Sequence, residues 1–263
     1  MSGVVQWLMD SSAIERIVDE LETAERTAVG VPTLSSRPEG LTESDAWAIA
    51  GARDARRLAR GERRVGYKLG WTSSAMREAL GIDQPNHGSL WAGMECDGTL
   101  SMAERIHPKA EPEFAYRAGR TLSGNVTAAE VAESGEWAVS LEIVDPRWES
   151  YRFAFVDNTA DSSSAAGYQL GEFHRCVGDP VDFELTMRID GAEERSASGR
   201  VVFGSPAESV AFLVRRLAES GASLHEGMIV LTGGATAPVD LVVGTRLEVW
   251  SPQLGSCELD VVA

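Results

Sequence analysis

The chain is 263 residues long and 43% hydrophobic, enough apolar material to bury a sizeable core in one large domain, or in a small domain preceding a larger one, which excludes disorder as its default state. Its formal charge of −16 and isoelectric point near 4.7 argue against nucleic acid or an anionic membrane as partner, since both polyanions are repelled at long range. A small anionic substrate stays compatible if a bound cation and one or two basic side chains supply local positive charge.

The start, MSGVVQWLMDSS, lacks the cationic and long apolar regions of a signal peptide, and no run of roughly 18 apolar residues follows, so a soluble, cytoplasmic chain is expected. Cys96, Cys176 and Cys257 are odd in number and far apart, which predicts reduced thiols rather than a zinc or redox pair. Ser12-Ala-Ile-Glu15 reads as a capping box opening a helix through Ile14, Ile17, Val18 and Leu21. The segment 30–41, GVPTLSSRPEGL, breaks the pattern. A second helix begins near Thr42, with Asp45 three residues on, and runs through Ala46, Ile49 and Leu58 to a stop near Gly61. Residues 1–64 are therefore expected to form a small helical cap on a β-rich catalytic domain, 65–263.

Beyond Val65 the predicted elements are mostly short strands, giving an α+β, mostly β class, with brief helices at 73–80 and 127–134, the latter opened by Thr127-Ala-Ala-Glu130. In KAEPEFAYR a strand places Glu111 and Glu113 on one face and Phe114 and Tyr116 on the other. In WAVSLEIVD, Trp137, Val139, Leu141 and Ile143 share a buried face and Glu142 points to the opposite one. Such alternation is common on the wet face of an antiparallel sheet. Alternatively, three converging carboxylates, which repel without a cation, would surround a hard ion such as Mg²⁺ or Mn²⁺. Further on, VDFELTMRID alternates Val181, Phe183, Leu185, Met187 and Ile189 with polar residues, Asp190-Gly191 makes a hairpin turn, and the return strand is expected from Arg200 to Phe203. Ser205, Pro206 and Glu208 open a helix carrying Val210, Leu213, Val214 and Leu217, closed by Gly221. Strands at 228–232, 246–250 and 258–261 complete the chain.

Four blocks, VGYKLGWTSSAMREALGIDQPNHGSLW, IHPKAEPEFAYRAGRTL, SLEIVDPRWESYRFAFVDNTADSSSAAGYQLG and GMIVLTGGATAPVDLVVGTRLEVW, together resemble the hydratase and decarboxylase branch of the fumarylacetoacetate hydrolase superfamily, from about Val65 to Trp250. The resemblance implies a mixed β-roll with a divalent metal, Mg²⁺ or Mn²⁺, on Glu111, Glu113 and Glu142. It implies Lys68 facing a small anionic 2-oxo or 2-hydroxydienoate, and catalytic positions at Asp157, Asp161 and Ser164. Thr232 and Gly233 are implied near the substrate carboxylate, and a homo-oligomeric assembly is implied as well. Taken alone, a capped turn explains the Asp and Ser run equally well.

The chain departs from the pattern where hydratases of this kind commonly read Asp-Gln-Pro-Asp-Phe-Gly. Here stand Asp83-Gln84-Pro85-Asn86-His87-Gly88, so Asn86 joins Asp83 as an expected substrate contact, and His87 is either a candidate proton carrier, its ordinary pKa suiting that task, or equally a packing residue in an aromatic's place. Trp71 is also atypical and is read as narrowing the pocket. His107 leans toward the decarboxylases, whereas His174 and His225 belong to no motif. The implied reaction is hydratase-type lyase chemistry on a 2-hydroxy-2,4-dienoate, with 4-oxalocrotonate (2-oxo-3-hexenedioate) decarboxylation as the alternative. Carbon–carbon bond hydrolysis of a diketo acid and a degenerate, non-catalytic partner subunit are the remaining readings.

Overall fold

The computed structural model describes residues 9–175 and 177–263; the start of the chain, 1–8, and Cys176 lie outside them. Helix α1 (Ser11–Thr27) is capped by Asp10, whose carboxylate accepts from the Ala13 amide at 2.7 Å. The expected cap, Ser12, lies inside the helix and donates to Asp10, because a carboxylate also opposes the positive helix end, which a hydroxyl does not. Helix α2 (Glu43–Ala59) begins with the capping box of Thr42 and Asp45. The two helices bury Ile17, Val18, Leu21, Ala46 and Ile49 against Leu34, Trp148 and Ala160, so their core is shared with the body of the protein.

The body continues with β1 (Arg64–Gly70), α3 (Ser74–Leu80), β2 (Asn86–Trp91), β3 (Thr99–Ser101), β4 (Lys109–Ala118), α4 (Ala128–Ser134) and β5 (Gly135–Val144). Then come α5 (Phe155–Ala160), β6 (Ala165–Leu170), β7 (His174–Arg175), β8 (Glu184–Ile189), β9 (Glu193–Ser198) and α6 (Pro206–Glu219). The chain ends in β10 (Ile229–Leu231), β11 (Val239–Asp240), β12 (Arg246–Ser251) and β13 (Gly255–Val262). Thr127 and Ser205 cap α4 and α6 as the sequence predicts, and Ser73, expected as the first residue of its helix, caps α3. Among the described residues no helix is long and apolar enough to cross a membrane.

One sheet runs β2-β1-β10-β4-β5-β6, with β11 added on β4 and β7 on β5; the other runs β3-β13-β12-β8-β9. Phe114, Tyr116, Trp137, Val139, Leu141 and Ile143 of β4 and β5 bury one face of the first sheet against Leu185, Met187, Leu247, Val249 and Leu259 of the second. The return strand after Asp190-Gly191 is Glu193–Ser198, and the expected stretch from Arg200 lies beyond it, in and past a 3-10 turn at Gly199–Val201. Asp190 and Gly191, at φ 49° and 74°, reverse the chain within the short turn 190–192, so that Ile189 already pairs with Glu193 and the return strand starts there.

Candidate metal centre and its pocket

The β4–β5 register sets Glu111 opposite Glu142 and Glu113 opposite Ser140, so all three glutamates share the sheet face that turns away from the core. One carboxylate oxygen from each lies within 4.8 Å of the others. Glu113 Oε2 accepts from the Gly233 amide at 2.7 Å, while Glu113 Oε1 and Glu142 Oε2 are buried with no hydrogen-bond donor. Buried carboxylate oxygens without partners are costly. Burial, reinforced by the charge of Glu142, lifts the Glu111 pKa to about 7, and burial with Glu142 and Glu111 lifts Glu113 well above the carboxylate range. An all-oxygen, anionic donor set with unsatisfied atoms fits a hard divalent cation.

Lys68 stands beside this cluster. It is carried by β1, which pairs with β2 on one side and β10 on the other, and its ammonium lies 2.9 Å from Glu142 Oε1. It also donates to the Ser163 carbonyl at 3.0 Å and to Ser163 Oγ at 3.3 Å. Burial is the largest influence and favours the neutral amine, but Glu142, Glu111 and Glu113 together outweigh it and raise the Lys68 pKa. Ser162, Ser163 and Ser164 all adopt positive φ, 52° to 57°, a conformation uncommon for non-glycine residues and stored at functional sites. That turn aims the Ser163 carbonyl at Lys68. A Cβ at Gly88 would stand 1.9 Å from the Ser162 carbonyl oxygen, so only glycine lets the turn approach β2.

Above the glutamates opens a pocket of about 370 Å³. Its polar end presents Lys68, Glu111, Asn158, Ser163 and Ser164, and its walls are Trp71, Met76, Leu80, Val144, Tyr151 and Phe153. Asn158 ties the polar end together. Its Oδ1 accepts from Trp71 Nε1 at 2.8 Å and from Asn86 Nδ2 at 2.9 Å, and its Nδ2 donates to Ser164 Oγ at 2.9 Å.

The structure thus gathers Glu111, Glu113, Glu142, Lys68 and Ser164 at one place. Asn86 is buried behind the pocket, where its Oδ1 accepts from Ser163 Oγ at 2.9 Å. Gly233 gives its amide to Glu113, and the Thr232 hydroxyl donates to the Phe114 carbonyl at 2.9 Å, so both shape the glutamate floor. Four other expected site residues lie apart from this group or are held by other partners. His87 pairs with Leu69, which points it to the face opposite Lys68, against Trp47 and Tyr67, and burial depresses its pKa to about 4. Asp157 caps α5 by accepting from the Ala154 amide and holds Ser35 through amide and hydroxyl. Asp161 is taken up by Arg147 and by Arg53, 3.2 Å away. Asp83 is exposed before β2 and does not line the pocket.

Ser163, Asn158 and Arg147 are functional or supporting residues that the sequence does not single out. Ser163 differs from Ser164 only through the left-handed turn, Asn158 lies in a six-residue helix too short to show periodicity, and Arg147 follows a strand with nothing to mark it as buried.

Residues 84–262 match the family model described as fumarylacetoacetate (FAA) hydrolase C-terminal. The chain is 32% identical over 246 residues to a 4-oxalocrotonate decarboxylase of a Pseudomonas species, covering 92% of this chain and 96% of that one. It is 38% identical over 211 residues to 2-keto-4-pentenoate hydratase 1 of Dechloromonas aromatica (strain RCB), covering 76% and 78%. Its fold superposes on 4-oxalocrotonate decarboxylase from Pseudomonas putida G7, complexed with magnesium and adipate, with a TM-score of 0.91 at 26% identity, covering 97% of this chain and 99% of that one.

Proposed function

The chain belongs to the fumarylacetoacetate hydrolase family, and from that premise we propose that it is a divalent-metal-dependent lyase of the 2-keto-4-pentenoate hydratase type, adding water to a 2-hydroxy-2,4-dienoate. The observation that carries this reading is the pair of donorless buried oxygens on Glu113 and Glu142 beside the Lys68 ammonium, at the polar end of an apolar-walled pocket. Glu111, Glu113 and Glu142 are the residues that would hold Mg²⁺ or Mn²⁺. Such a cation supplies Lewis-acid stabilisation of negative charge at the carboxylate and 2-oxygen end of the substrate.

Lys68 adds a second, fixed positive charge at that end. With its pKa raised and its protons directed at Glu142 and Ser163, it acts as a charged anchor and donor, not as a base. Ser163 and Ser164 present hydroxyl groups where the added water is oriented, and Asn158 holds Ser164 in place. Trp71, Met76, Leu80 and Phe153 exclude bulk water, which strengthens every charge interaction at the floor.

Decarboxylation of 2-oxo-3-hexenedioate is the second reading, favoured by the full-length likeness to 4-oxalocrotonate decarboxylase. Incubation with 2-hydroxypenta-2,4-dienoate and, separately, with 2-oxo-3-hexenedioate tests both. Loss of dienol absorbance without gas release is the hydratase result, carbon dioxide release is the decarboxylase result, and inertness toward both contradicts the lyase reading. The protein is further proposed to be cytoplasmic and homo-oligomeric, and sedimentation at several concentrations tests the assembly.

A further inference from the structure

Trp71 and Asn86, both departures from the pattern of the hydratases that the chain resembles, meet on one atom, the amide oxygen of Asn158. Trp71 holds φ 62°, a backbone conformation that a bulky residue adopts only where its surroundings impose it. Arg77 braces it by donating to the Trp71 and Thr72 carbonyls at 2.7 and 2.8 Å. Asn86 is fully buried and does not line the pocket.

A side-chain amide keeps its shape when turned end for end, so the direction of each hydrogen bond follows from neighbours that cannot reverse. The Trp71 indole and the Lys68 ammonium only donate. The Asn158 atom 2.8 Å from the indole is therefore the oxygen, and Asn86 must turn its nitrogen toward it, at 2.9 Å. The Thr159 hydroxyl agrees, since it gives its proton to the Phe155 carbonyl and accepts from the same Asn86 nitrogen at 3.0 Å. The Asn86 oxygen then faces Ser163 Oγ, 2.9 Å away, so Ser163 donates to it while accepting from Lys68 at 3.3 Å. At the other end Asn158 is left with its nitrogen toward Ser164, whose oxygen accepts at 2.9 Å. Among the described residues the Ser164 proton finds only Asp161 Oδ2, 3.5 Å away, too far for a strong hydroxyl bond.

We propose that Asn86 and Trp71 are a matched pair of positioning residues that lock the Asn158 amide in one orientation, so that Ser163 gives its proton to Asn86 and Ser164 keeps its own for the substrate or the added water. Ser164 is then the hydroxyl donor of the site and Ser163 a prop for Lys68. The pair works only together. A carboxylate at 86 faces Asn158 with an oxygen and turns the Asn158 nitrogen toward itself. That sets N–H against the Trp71 N–H and draws the Ser164 proton onto the Asn158 oxygen. The orientation stands on the hydrogen bonds alone, and its catalytic meaning rests on the proposed lyase reading.

Neutron diffraction from deuterium-exchanged crystals of the wild type reads the orientation directly. The expected map has Asn86 deuterons toward Asn158, an Asn158 deuteron toward Ser164, and the Ser164 deuteron turned away from Asn158. A Ser164 deuteron aimed at Asn158, or a Ser163 deuteron aimed away from Asn86, overturns the proposal. Turnover of 2-hydroxypenta-2,4-dienoate reads the consequence. Asn86→Asp is expected to lower kcat about 30-fold and Trp71→Phe about fivefold, with KM held within about twofold. The double variant is expected to fall no further than Asn86→Asp, because both residues act through Asn158. If Asn86→Asp does not fold, Trp71→Phe placed on Ser164→Ala serves instead, and no further loss is expected there. Effects that multiply in either double variant, or a wild-type kcat in Asn86→Asp, overturn the pairing. A wild type inert toward the dienoate and toward 2-oxo-3-hexenedioate overturns the lyase reading, and the deuteron positions then decide the orientation by themselves.

Discussion

Glu113 gives one oxygen to the Gly233 amide and keeps the other without a donor, and Glu142 faces Lys68 in the same condition. A glutamine at 113 keeps the shape and discards the charge. Glu113→Gln is expected to weaken Mg²⁺ or Mn²⁺ binding by roughly 100-fold, and to lose the metal-dependent rise in Tm that binding to the native state produces. Glu111, pushed up to about 7 by burial and by Glu142, must lose its proton to bind a cation. Glu113 is raised by the same burial and neighbours, so metal affinity should fall by about tenfold or more per unit as pH drops below 7, as titrations between pH 8 and 5.5 will reveal. Lys68→Met removes the anchor but not the donor set, so kcat should drop by roughly 100-fold or more while the metal still binds. Part of this cluster is legible in the sequence, because the period of two along a strand is enough to put Glu111 and Glu113 on one face. Whether Glu142 meets them depends on register, which alternation alone does not fix.

Among the elements, the left-handed turn of Ser162–Ser164 does the positioning, and it is held from both sides. Arg147 and Arg53 clamp Asp161 just before it, and Arg53 reaches there from α2. Asp161→Asn would leave two buried guanidinium groups facing a neutral amide, at a cost of about 3–5 kcal/mol in a urea-unfolding experiment. The capped helices are legible to the residue, since Thr42 with Asp45, Thr127 with Glu130, and Ser205 ahead of Pro206 are local signals. The start of α1 falls two residues ahead of its expected place because Asp10 and Ser12 are both competent caps. α5 reads as a turn because six residues show no helical period, and for that reason the capping role of the Asp157 carboxylate toward the Ala154 amide is not legible.

Across the whole molecule, β1, β10, β4 and β5 bring Lys68 from the first third of the chain to glutamates on strands formed much later. α1 and α2, expected as a separate cap, share buried contacts with Trp148 and Ala160 of the body. His87 belongs to this scale as well, since it lies on the far side of the sheet, stacked against Trp47 of α2. Its folded pKa of about 4 is below the ordinary value near 6.5. The unfolded chain thus binds a proton first, and stability present above pH 6.5 is lost as pH falls toward 4. His87→Phe should lessen that acid loss by about 2 kcal/mol, after discounting for partial exposure, in unfolding measured at pH 7 and pH 4.5. The sequence does not reveal this, because a histidine between Asn86 and Gly88 shows which face it takes only once β2 is paired with β1.

The anomalous-scattering map of crystals grown with Mn²⁺ tests the central claim most directly. A single strong peak about 2.1 Å from one carboxylate oxygen each of Glu111, Glu113 and Glu142 is the predicted result. A map with no peak among those three side chains, at a concentration that saturates other manganese proteins, contradicts it.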